Sequence, residues 1–484
     1  MDKFELIFIP APGMGHIAST VEMANTLVTR DRRFSATILA MKLPYDQKVA
    51  ESIHSLSTSF ADKPIQFLVL PEPPLPQHSK NDFILLVESY KPFVADAVAK
   101  LADASPRLAG LVVDMFCTTM IDVAKEFGIP CYVFFTCSAG FLAFSFYLQE
   151  LYSSSGNGSN EAVEKLLNSD AELGLPCFVN PVVPSRVIPS IFFDENKAVW
   201  FHNHVRRFRS EVKGILVNTF VEMESRVMES MLSGSFSQVP PLYCVGPILH
   251  FKEDTDGVGS DVLKWLDDQP LSSVVFVCFG TMVSFDENQM EAIAHGLEQS
   301  GVRFVWSIRQ PPPKGKFEAP CNYADVKDVL SEGFLDRTAG IGRIIGWTTQ
   351  VEILGHPAIG GFVSHCGWNS VLESLWHGVP MATWPMHAEQ QLNAFEMVVE
   401  LGLAVEITLD YRMSFSEEKA RIVSAEEIES GIRKLMGEES DEMRKKVRAK
   451  SEESRRCIAE GGSSFVSLGH FMDNVLANLT GGED

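Results

Sequence analysis

The sequence predicts an α/β fold made of two similar halves, each with a largely parallel sheet. Short apolar runs suited to strands alternate with segments whose apolar residues recur every three or four positions, as amphipathic helices require. This alternation begins near the N-terminus and begins again at about residue 274, after a stretch rich in proline, glycine and acidic residues at 240–259. A chain of 484 residues is long enough for two such domains.

The first half opens with an apolar run at 6–9, which predicts a strand. A Pro- and Gly-containing turn at 10–15 and a helix at 17–29 follow it. Further strands are predicted from apolar runs at 36–41, 66–70, 109–113 and 132–136. The stretch 152–168 is rich in serine, glycine and asparagine, which indicates a surface loop.

The second half restarts the pattern, with strands predicted at 274–279, 303–308, 343–345, 361–364 and 381–383. A helix at 286–299 is expected to begin with a capping box of Ser284 and Glu287, and a helix at 425–436 with one of Ser424 and Glu427. The stretch 240–259 is interpreted as the linker between the halves. Sheets of this kind bind ligands beyond the carboxyl ends of their strands, so we expect a ligand cleft between the two halves.

Composition excludes several classes of function. The formal charge of −22 argues against a general binder of nucleic acid or membrane surfaces, because both partners are anionic. No run of about 18 apolar residues predicts a membrane span, and the first residues resemble a strand more than a signal peptide. Nine cysteines without a Cys-x-x-Cys pair favour reduced thiols. We therefore expect a cytoplasmic protein, and a monomer.

A first candidate site lies at Gly13-Met14-Gly15-His16, between the first strand and the first helix. With Ala18 it matches a dinucleotide-binding pattern, but the second strand lacks the acidic residue expected about 20 positions on, which counts against NAD. His16 is a candidate general base. Asp114, at the end of another predicted strand, is its candidate partner. The alternative is that each residue only caps a helix.

A second candidate site is the block from Trp347 to Gln390. A strand ends at Ser364-His365-Cys366-Gly367 and a helix opens at Trp368-Asn369-Ser370, so exposed amides and the helix dipole would attract a diphosphate. The block also offers an aromatic face for a base and polar groups for sugar hydroxyls, at Trp347, Glu373, Glu389 and Gln390. For any single residue, a purely structural role remains the alternative.

These 44 residues resemble the signature box of plant small-molecule UDP-glycosyltransferases. The resemblance extends over most of the chain, including Gly15-His16, the Val-Asp-Met-Phe run at 113–116 and the Phe-Gly-Thr run at 279–281. Within the family, the chain is most similar to members that glucosylate flavonoids, other phenolics and terpenoids in plant secondary metabolism.

The resemblance implies two facing Rossmann-like domains of the GT-B type with a cleft between them. It assigns residues 1–245 to acceptor binding and 246–460 to UDP-sugar binding. Residues 461–484 are expected to form a helix that packs back on the first domain. The implied reaction is an inverting transfer of glucose from UDP-glucose to a hydroxyl of a small apolar acceptor, giving a β-glucoside. The alternatives are another UDP-sugar or a non-catalytic ligand-binding relative.

The resemblance also implies roles for individual residues. His16 takes the acceptor proton and Asp114 is its partner, with no metal and no cofactor besides the co-substrate. The residues assigned to the UDP-sugar are Thr136, Thr281, Trp347, Thr348, Gln350, His365, Gly367, Trp368, Asn369, Ser370, Glu373, Glu389 and Gln390. Those assigned to the acceptor are Met14, Phe116 and His387.

Four positions depart from the family pattern. Thr348-Thr349 replaces a pair that more often ends in proline, and Thr281 replaces serine. Val283 stands where relatives usually have glycine, and His387 where they usually have an aromatic residue. We expect Val283 to adopt an ordinary β-region conformation, because the Ser284–Glu287 capping box would fix the start of the next helix.

Overall fold

The computed structural model describes residues 3–43, 47–74, 82–104, 107–154, 172–251, 260–312, 319–347, 349–413 and 421–480. The chain folds into two units. The first unit comprises Met1–Val163, Asn196–His250 and Arg456–Asp484, and the second comprises Glu164–Glu195 and Phe251–Arg455.

The strands are β1 Phe4–Ile9, β2 Phe34–Ala40, β3 Ile65–Val69, β4 Leu108–Asp114, β5 Cys131–Phe135, β6 Glu172–Gly174, β7 Val182–Pro184, β8 Ile215–Val217, β9 Leu242–Cys244, β10 Val274–Cys278, β11 Arg303–Ser307, β12 Gly342–Ile345, β13 Ile359–Ser364, β14 Met381–Thr383 and β15 Ala404–Glu406. The predicted strands are present, with ends shifted by one or two residues. The short strands β6, β7, β8, β9 and β15 were not predicted, because three residues are too few to show a period.

The α-helices are α1 Met14–Arg30, α2 Gln47–Ser59, α3 Phe83–Ser89, α4 Lys91–Ala104, α5 Ile121–Glu126, α6 Ala139–Ser154, α7 Glu195–Ser210, α8 Ser225–Leu232, α9 Ser260–Asp267, α10 Glu287–Ser300, α11 Phe334–Thr338, α12 Gln350–Leu354, α13 Trp368–His377, α14 Gln390–Phe395, α15 Ala425–Met436, α16 Asp441–Ile458 and α17 Ser463–Thr480. None of the described helices is both long and apolar enough to cross a membrane.

Each unit contains a parallel sheet whose strand order reverses once. In the first unit the order is β3-β2-β1-β4-β5-β8-β9, with the reversal between β1 and β4. In the second it is β12-β11-β10-β13-β14-β15, with the reversal between β10 and β13. Connections leave such a reversal in opposite directions, so a crevice opens at the carboxyl ends of the two central strands. The predicted α/β class with two Rossmann-like halves is confirmed.

Apolar packing holds each sheet between helices. Strand β4 is buried along its whole length, as a central parallel strand covered on both faces requires. Helix α1 turns the predicted apolar stripe, including Ile17, Val21 and Leu27, into the core of the first unit. The final helix, α17, adds Phe471 and Val475 to the same core.

Several local predictions need correction. Helix α1 begins at Met14, so His16 lies in its first turn instead of in a turn before it. The Ser284–Glu287 capping box was wrong, because Asp286 caps α10 and accepts a hydrogen bond of 2.9 Å from the amide of Gln289. An acidic residue one position before the helix competes better for this role than a serine two positions earlier. The capping box of Ser424 and Glu427 is confirmed.

Two predicted irregular stretches are partly regular. Of the predicted loop at 152–168, residues 152–154 continue helix α6, and 155–168 lie outside the described residues. Of the predicted linker at 240–259, Leu242–Cys244 pairs with β8 as an edge strand, and 252–259 lie outside the described residues. The prolines at 240 and 241 precede this strand, where the missing amide hydrogens cost no ladder bond.

Candidate active site

His16 and Asp114 meet at the point where the strand order of the first unit reverses. His16 follows β1, in the first turn of α1, and Asp114 is the last residue of the neighbouring strand β4. Nδ1 of His16 lies 2.7 Å from Oδ2 of Asp114 and 3.2 Å from the hydroxyl of Thr136, which follows β5. The fold therefore brings together three of the predicted site residues, each at or after the end of a different strand.

The carboxylate of Asp114 is fixed from two sides. Its side chain is fully buried, and its Oδ1 accepts a hydrogen bond of 2.9 Å from the amide of Phe116, while Oδ2 faces His16. An ionised carboxylate only accepts hydrogen bonds, so Nδ1 of His16 carries the proton of the neutral ring. Nε2 is then the basic nitrogen, on a side chain that is 26% exposed.

Aromatic rings of the first unit surround this pair on one side. The ring of Phe116 lies 5.5 Å from that of His16, stacks on Trp200 at 6.0 Å and meets Phe83 edge-on at 5.7 Å. Such a wall suits an apolar, flat molecule next to His16. Of the predicted acceptor residues, Phe116 is thus beside the pair of His16 and Asp114, and Met14 packs against the core of the unit.

The second unit presents an open helix terminus at its own reversal point. Strand β13 ends at Ser364, and helix α13 begins at Trp368 with Gly367 as its N-cap. The N-cap residue Gly367 makes no side-chain cap hydrogen bond, and a helix N-terminus of this kind attracts anions through its amides and its dipole. Between them, Cys366 has a φ of +63°, in the left-handed region that side chains other than glycine rarely adopt.

The ring of His365 fits between two glycines. A Cβ atom built on Gly367 would lie 2.6 Å from its Nε2, and one on Gly280 would lie 2.9 Å from its ring atoms. Gly280 follows β10 with a φ of +80°, and the exposed Thr281 comes next. Burial, with a smaller contribution from His387, lowers the pKa of His365 to about 3. The ring is therefore neutral and offers one N–H without adding a charge, and its Nδ1 has no partner among the described residues.

A second polar group lies one turn further along α13. The amide nitrogen of Gln350 donates to the hydroxyl of Ser370 at 2.8 Å and to Oε2 of Glu373 at 2.6 Å. Burial raises the pKa of Glu373 to about 7, although the bond from Gln350 opposes the shift. Such a carboxyl is poised to accept bonds from paired hydroxyls, as a ribose offers.

An exposed indole completes the set. Trp347 is 46% exposed, although large apolar side chains are usually buried. Its amide donates to Oδ1 of Asn322 at 2.8 Å, which holds the backbone in place. An aromatic face left open beside a polar cluster suits a planar base. The adjacent Thr348, also predicted to bind the UDP-sugar, lies outside the described residues.

The remaining predicted donor residues lie at the starts of helices α13 and α14. Oε1 of Gln390 accepts hydrogen bonds from the amides of Met386 and His387, at 2.9 and 3.0 Å, which fixes the orientation of its side chain. Glu389 immediately precedes it as the N-cap. Trp368 is buried, with 3% of its surface exposed, and Asn369 is half-buried. His387, predicted to contact the acceptor, lies in the second unit beside His365.

Sequence reasoning missed residues that support the site. Asn322 is distant in the chain from Trp347, and Trp200 lies in a polar helical segment, so neither carried a local signal. Asn393, which binds the backbone of Cys366, stands in an ordinary helical pattern. Within the described ranges, no group of three or more His, Cys, Asp or Glu side chains is placed to hold a metal ion.

The sequence is similar to proteins of known family. Residues 239–422 match the family described as UDP-glucoronosyl and UDP-glucosyl transferase. The chain is 49% identical to the UDP-glucose flavonoid 3-O-glucosyltransferase 6 of Fragaria ananassa, over 97% of this chain and 98% of that protein. It is 46% identical to the UDP-glycosyltransferase 71E1 of Stevia rebaudiana, over 99% of this chain and 100% of that protein.

The structure is also similar to solved structures of glycosyltransferases. A transferase from Siraitia grosvenorii in complex with UDP is 52% identical, with a TM-score of 0.84 over 98% of this chain and 99% of that one. Medicago truncatula UGT71G1 complexed with UDP-glucose is 40% identical, with a TM-score of 0.83 over 98% of each chain.

Proposed function

The chain belongs to the family of UDP-glucosyl transferases, and on this premise we propose that it transfers glucose from UDP-glucose to a hydroxyl of a small apolar acceptor. Relatives named for glucosyl transfer to flavonoids, and similar structures that hold UDP or UDP-glucose, support this function. We further propose a flavonoid, another phenolic or a terpenoid as the acceptor.

One observation carries the proposal, namely the contact of 2.7 Å between His16 and the buried Asp114. The carboxylate keeps the proton of the neutral ring on Nδ1 and stabilises the imidazolium that forms during the reaction. Nε2 is thereby prepared to accept a proton from a hydroxyl. A relative that only bound its ligands would need neither residue.

The reaction we propose is a single displacement. The acceptor hydroxyl loses its proton to Nε2 of His16 while its oxygen bonds to the anomeric carbon of glucose. The bond from that carbon to the β-phosphate oxygen breaks, and UDP leaves with the electron pair. Attack from the face opposite the leaving group inverts the configuration, so an α-linked donor yields a β-glucoside.

Residues of the second unit are proposed to hold the leaving group. Amides at the start of α13, with His365, Ser370 and Thr281, would donate to the diphosphate, whose charge grows as the bond breaks. Trp347 would stack on uracil, and Glu373 and Gln350 would bind ribose. Glu389 and Gln390 would bind the sugar hydroxyls.

We also propose that no metal takes part, because neutral and backbone donors suffice to hold the diphosphate. Turnover in excess EDTA, compared with turnover after adding Mg²⁺ or Mn²⁺, tests this point. A loss in EDTA that a metal restores would contradict it.

A panel of acceptors with UDP-glucose tests the function itself. UDP release should depend on the acceptor, and mass spectrometry should find products heavier by one hexose. Proton NMR of the product distinguishes a β- from an α-glucoside. UDP release at the same rate without any acceptor would contradict the proposal.

We also propose a location and an oligomeric state. None of the nine cysteines forms a disulfide, and eight of them are buried, which suits a reducing compartment such as the cytoplasm. We also propose a monomer, which light scattering after size-exclusion chromatography would test. A fluorescent fusion expressed in plant cells would test the location.

A further inference from the structure

We propose that Asn393 is a positioning residue for donor binding, because it ties the turn before helix α13 to helix α14. The inference rests on the proposed function, in that it assumes the UDP-sugar binds at these two helices. Asn393 itself is not proposed to touch the sugar or the diphosphate. It acts through the backbone of Cys366 and the side chain of Glu389.

The contacts of Asn393 run in two directions. Its side chain is completely buried on α14, and its Nδ2 donates a hydrogen bond of 3.0 Å to the carbonyl of Cys366, 27 residues earlier. The same nitrogen lies 3.5 Å from Oε1 of Glu389, four residues earlier and therefore on the same face of the helix. The NH₂ group of Asn393 thus contacts both the turn at Cys366, before helix α13, and Glu389, which is predicted to bind the sugar.

The Cys366 turn needs external support, because its φ of +63° is unfavourable for a residue with a side chain. Ser364 supplies part of the support, since its hydroxyl accepts from the amide of Cys366 at 3.1 Å and its carbonyl accepts from the thiol at 3.4 Å. Those bonds are local to the turn. The bond from Asn393 comes from another element and holds the opposite end of the residue.

Planarity of the peptide bond carries this effect to the anion site. The carbonyl of Cys366 and the amide N–H of Gly367 belong to one trans peptide plane and point in opposite directions. Fixing the carbonyl toward Asn393 therefore fixes the Gly367 N–H away from it. Gly367 is the N-cap of α13, so the bond sets the orientation of the helix terminus proposed to hold the diphosphate.

The neighbouring residue Gln391 provides a matched control. It is also completely buried on α14, and its amide nitrogen donates a hydrogen bond of 2.8 Å to the backbone carbonyl of Tyr411. Within the described part of the chain, the side-chain oxygens of Asn393 and Gln391 both lack a partner. The two amides therefore differ mainly in which backbone they hold, and Tyr411 is not among the predicted donor residues.

The experiment compares Asn393→Leu with Gln391→Leu in the full chain. Both variants lose a buried hydrogen bond from a side-chain amide to a backbone carbonyl, and we expect similar decreases in Tm. Isothermal titration with UDP should show the Kd raised about tenfold or more in Asn393→Leu, and less than about twofold in Gln391→Leu. The KM for UDP-glucose should follow the same split, while the KM for the acceptor at saturating donor stays within about twofold of wild type.

The outcomes separate this inference from the proposed function. Equal UDP affinity in the two variants would overturn the positioning role, as would an equal rise of both KM values in Asn393→Leu. Failure of the wild-type protein to bind UDP would instead overturn the proposed function, and this inference with it. If Asn393→Leu does not fold, the pair Asn393→Ser and Gln391→Ser gives the same comparison, because serine is too short to reach either carbonyl.

Discussion

Oδ2 of Asp114 lies 2.7 Å from Nδ1 of His16, although 98 residues separate them in the chain. They meet because β1 and β4 are neighbours where the strand order reverses, so the residues after β1 face the last residue of β4. The carboxylate holds the ring in the tautomer that leaves Nε2 basic. The first two predictions concern this pair.

We expect His16→Ala to lower kcat by about 10²–10⁴-fold, the usual contribution of a general base. The Kd for UDP should be unchanged, because none of the UDP contacts proposed above involves His16. Steady-state kinetics and titration calorimetry measure the two quantities. His54→Ala, at an exposed position on α2, is the control and should behave as wild type. Activity within about twofold of wild type in His16→Ala would remove the assignment.

Asp114→Ala should reduce kcat less than His16→Ala does. The imidazole base is still present in Asp114→Ala, and water or the hydroxyl of Thr136 can hold its proton on Nδ1. Asp114→Asn should be more harmful than Asp114→Ala, since an amide N–H facing Nδ1 favours the opposite tautomer. The order of the three kcat values is the measurement. Equal activity of the alanine and asparagine variants would show that Asp114 does not act through the tautomer.

Much of this arrangement was predictable from sequence. Continuous apolar runs such as 109–113 are typical of central parallel strands, so the position of Asp114 at the end of β4 followed directly. The dense block from Trp347 to Gln390 predicted the second candidate site. The contact between His16 and Asp114 was a hypothesis that the geometry of the first unit supports.

What sequence could not supply was packing between distant segments. Asn322 and Asn393 support the second site through backbone contacts that no local pattern reveals. The cap of α10 was misassigned because Ser284 and Asp286 both suit an N-cap position, and only the residue at which the helix begins decides between them. Edge strands such as β9 have too few residues to show an alternation.

The binding of UDP-glucose should weaken as the pH falls from 8 to 6. Burial raises the pKa of Glu373 to about 7, and the ionised form accepts stronger bonds from the ribose hydroxyls, on two oxygens, than the protonated form does. The partners around this carboxyl are Gln350 and the thiol of Cys278, neither of which is charged in that range. Calorimetry with UDP-glucose is the measurement, because the terminal phosphate of UDP itself titrates in this range.

Glu373→Gln is the control for this prediction. It should bind more weakly than wild type at pH 8 and show little change with pH. The raised pKa also affects stability, since the contribution of this carboxyl is fully present below its ordinary value of 4.5 and is lost as the pH rises through about 7. The Tm of Glu373→Gln should therefore fall less than that of wild type between pH 5 and 8. An unchanged pH profile of donor binding would refute the role of Glu373.

Gly367→Ala should raise the Kd for UDP about tenfold or more. The added Cβ would lie 2.6 Å from Nε2 of His365, so either the ring or the N-cap of α13 must move. Gly340→Ala is the matched control, because it has a glycine φ outside the left-handed range and no atom within 4 Å of the new Cβ. Binding within about twofold of wild type in Gly367→Ala would show that this close approach is not needed for the diphosphate.

UDP-glucose should be preferred to UDP-glucuronate by at least about tenfold in kcat/KM. The carboxylate of glucuronate would meet Glu389, and an unpaired charge in a binding site is costly. Competition between the two donors at equal concentration measures the ratio. Glu389→Gln should narrow it, because the repulsion is removed while a hydroxyl partner remains. A higher kcat/KM for UDP-glucuronate than for UDP-glucose would show that a cationic group pairs with the glucuronate carboxylate.

Val283 tests how the loop after β10 is supported. It does not adopt a positive φ, so the left-handed strain that a glycine would relieve is absent there, and its β-region conformation stays a prediction. The predicted reason was wrong, since Asp286 and not Ser284 caps the next helix. Only 4% of Val283 is exposed, and it packs in the core cluster of the second unit with Phe279 and Phe285. Its side chain therefore supports the loop by packing.

Val283→Gly should destabilise the protein by about 3 kcal/mol, combining lost apolar burial, a residual cavity and the greater freedom of glycine in the unfolded chain. Asp286→Ala, which removes the cap, should cost about 1 kcal/mol, and Ser284→Ala almost nothing. The order of the three Tm values is the measurement, and the KM for UDP-glucose should stay within about twofold of wild type in Val283→Gly. A Tm at or above wild type for Val283→Gly, with tighter donor binding, would mean that valine strains this loop after all. A larger Tm loss in Ser284→Ala than in Asp286→Ala would mean that Ser284 caps the helix as first predicted, against the hydrogen bond from the amide of Gln289 to Asp286.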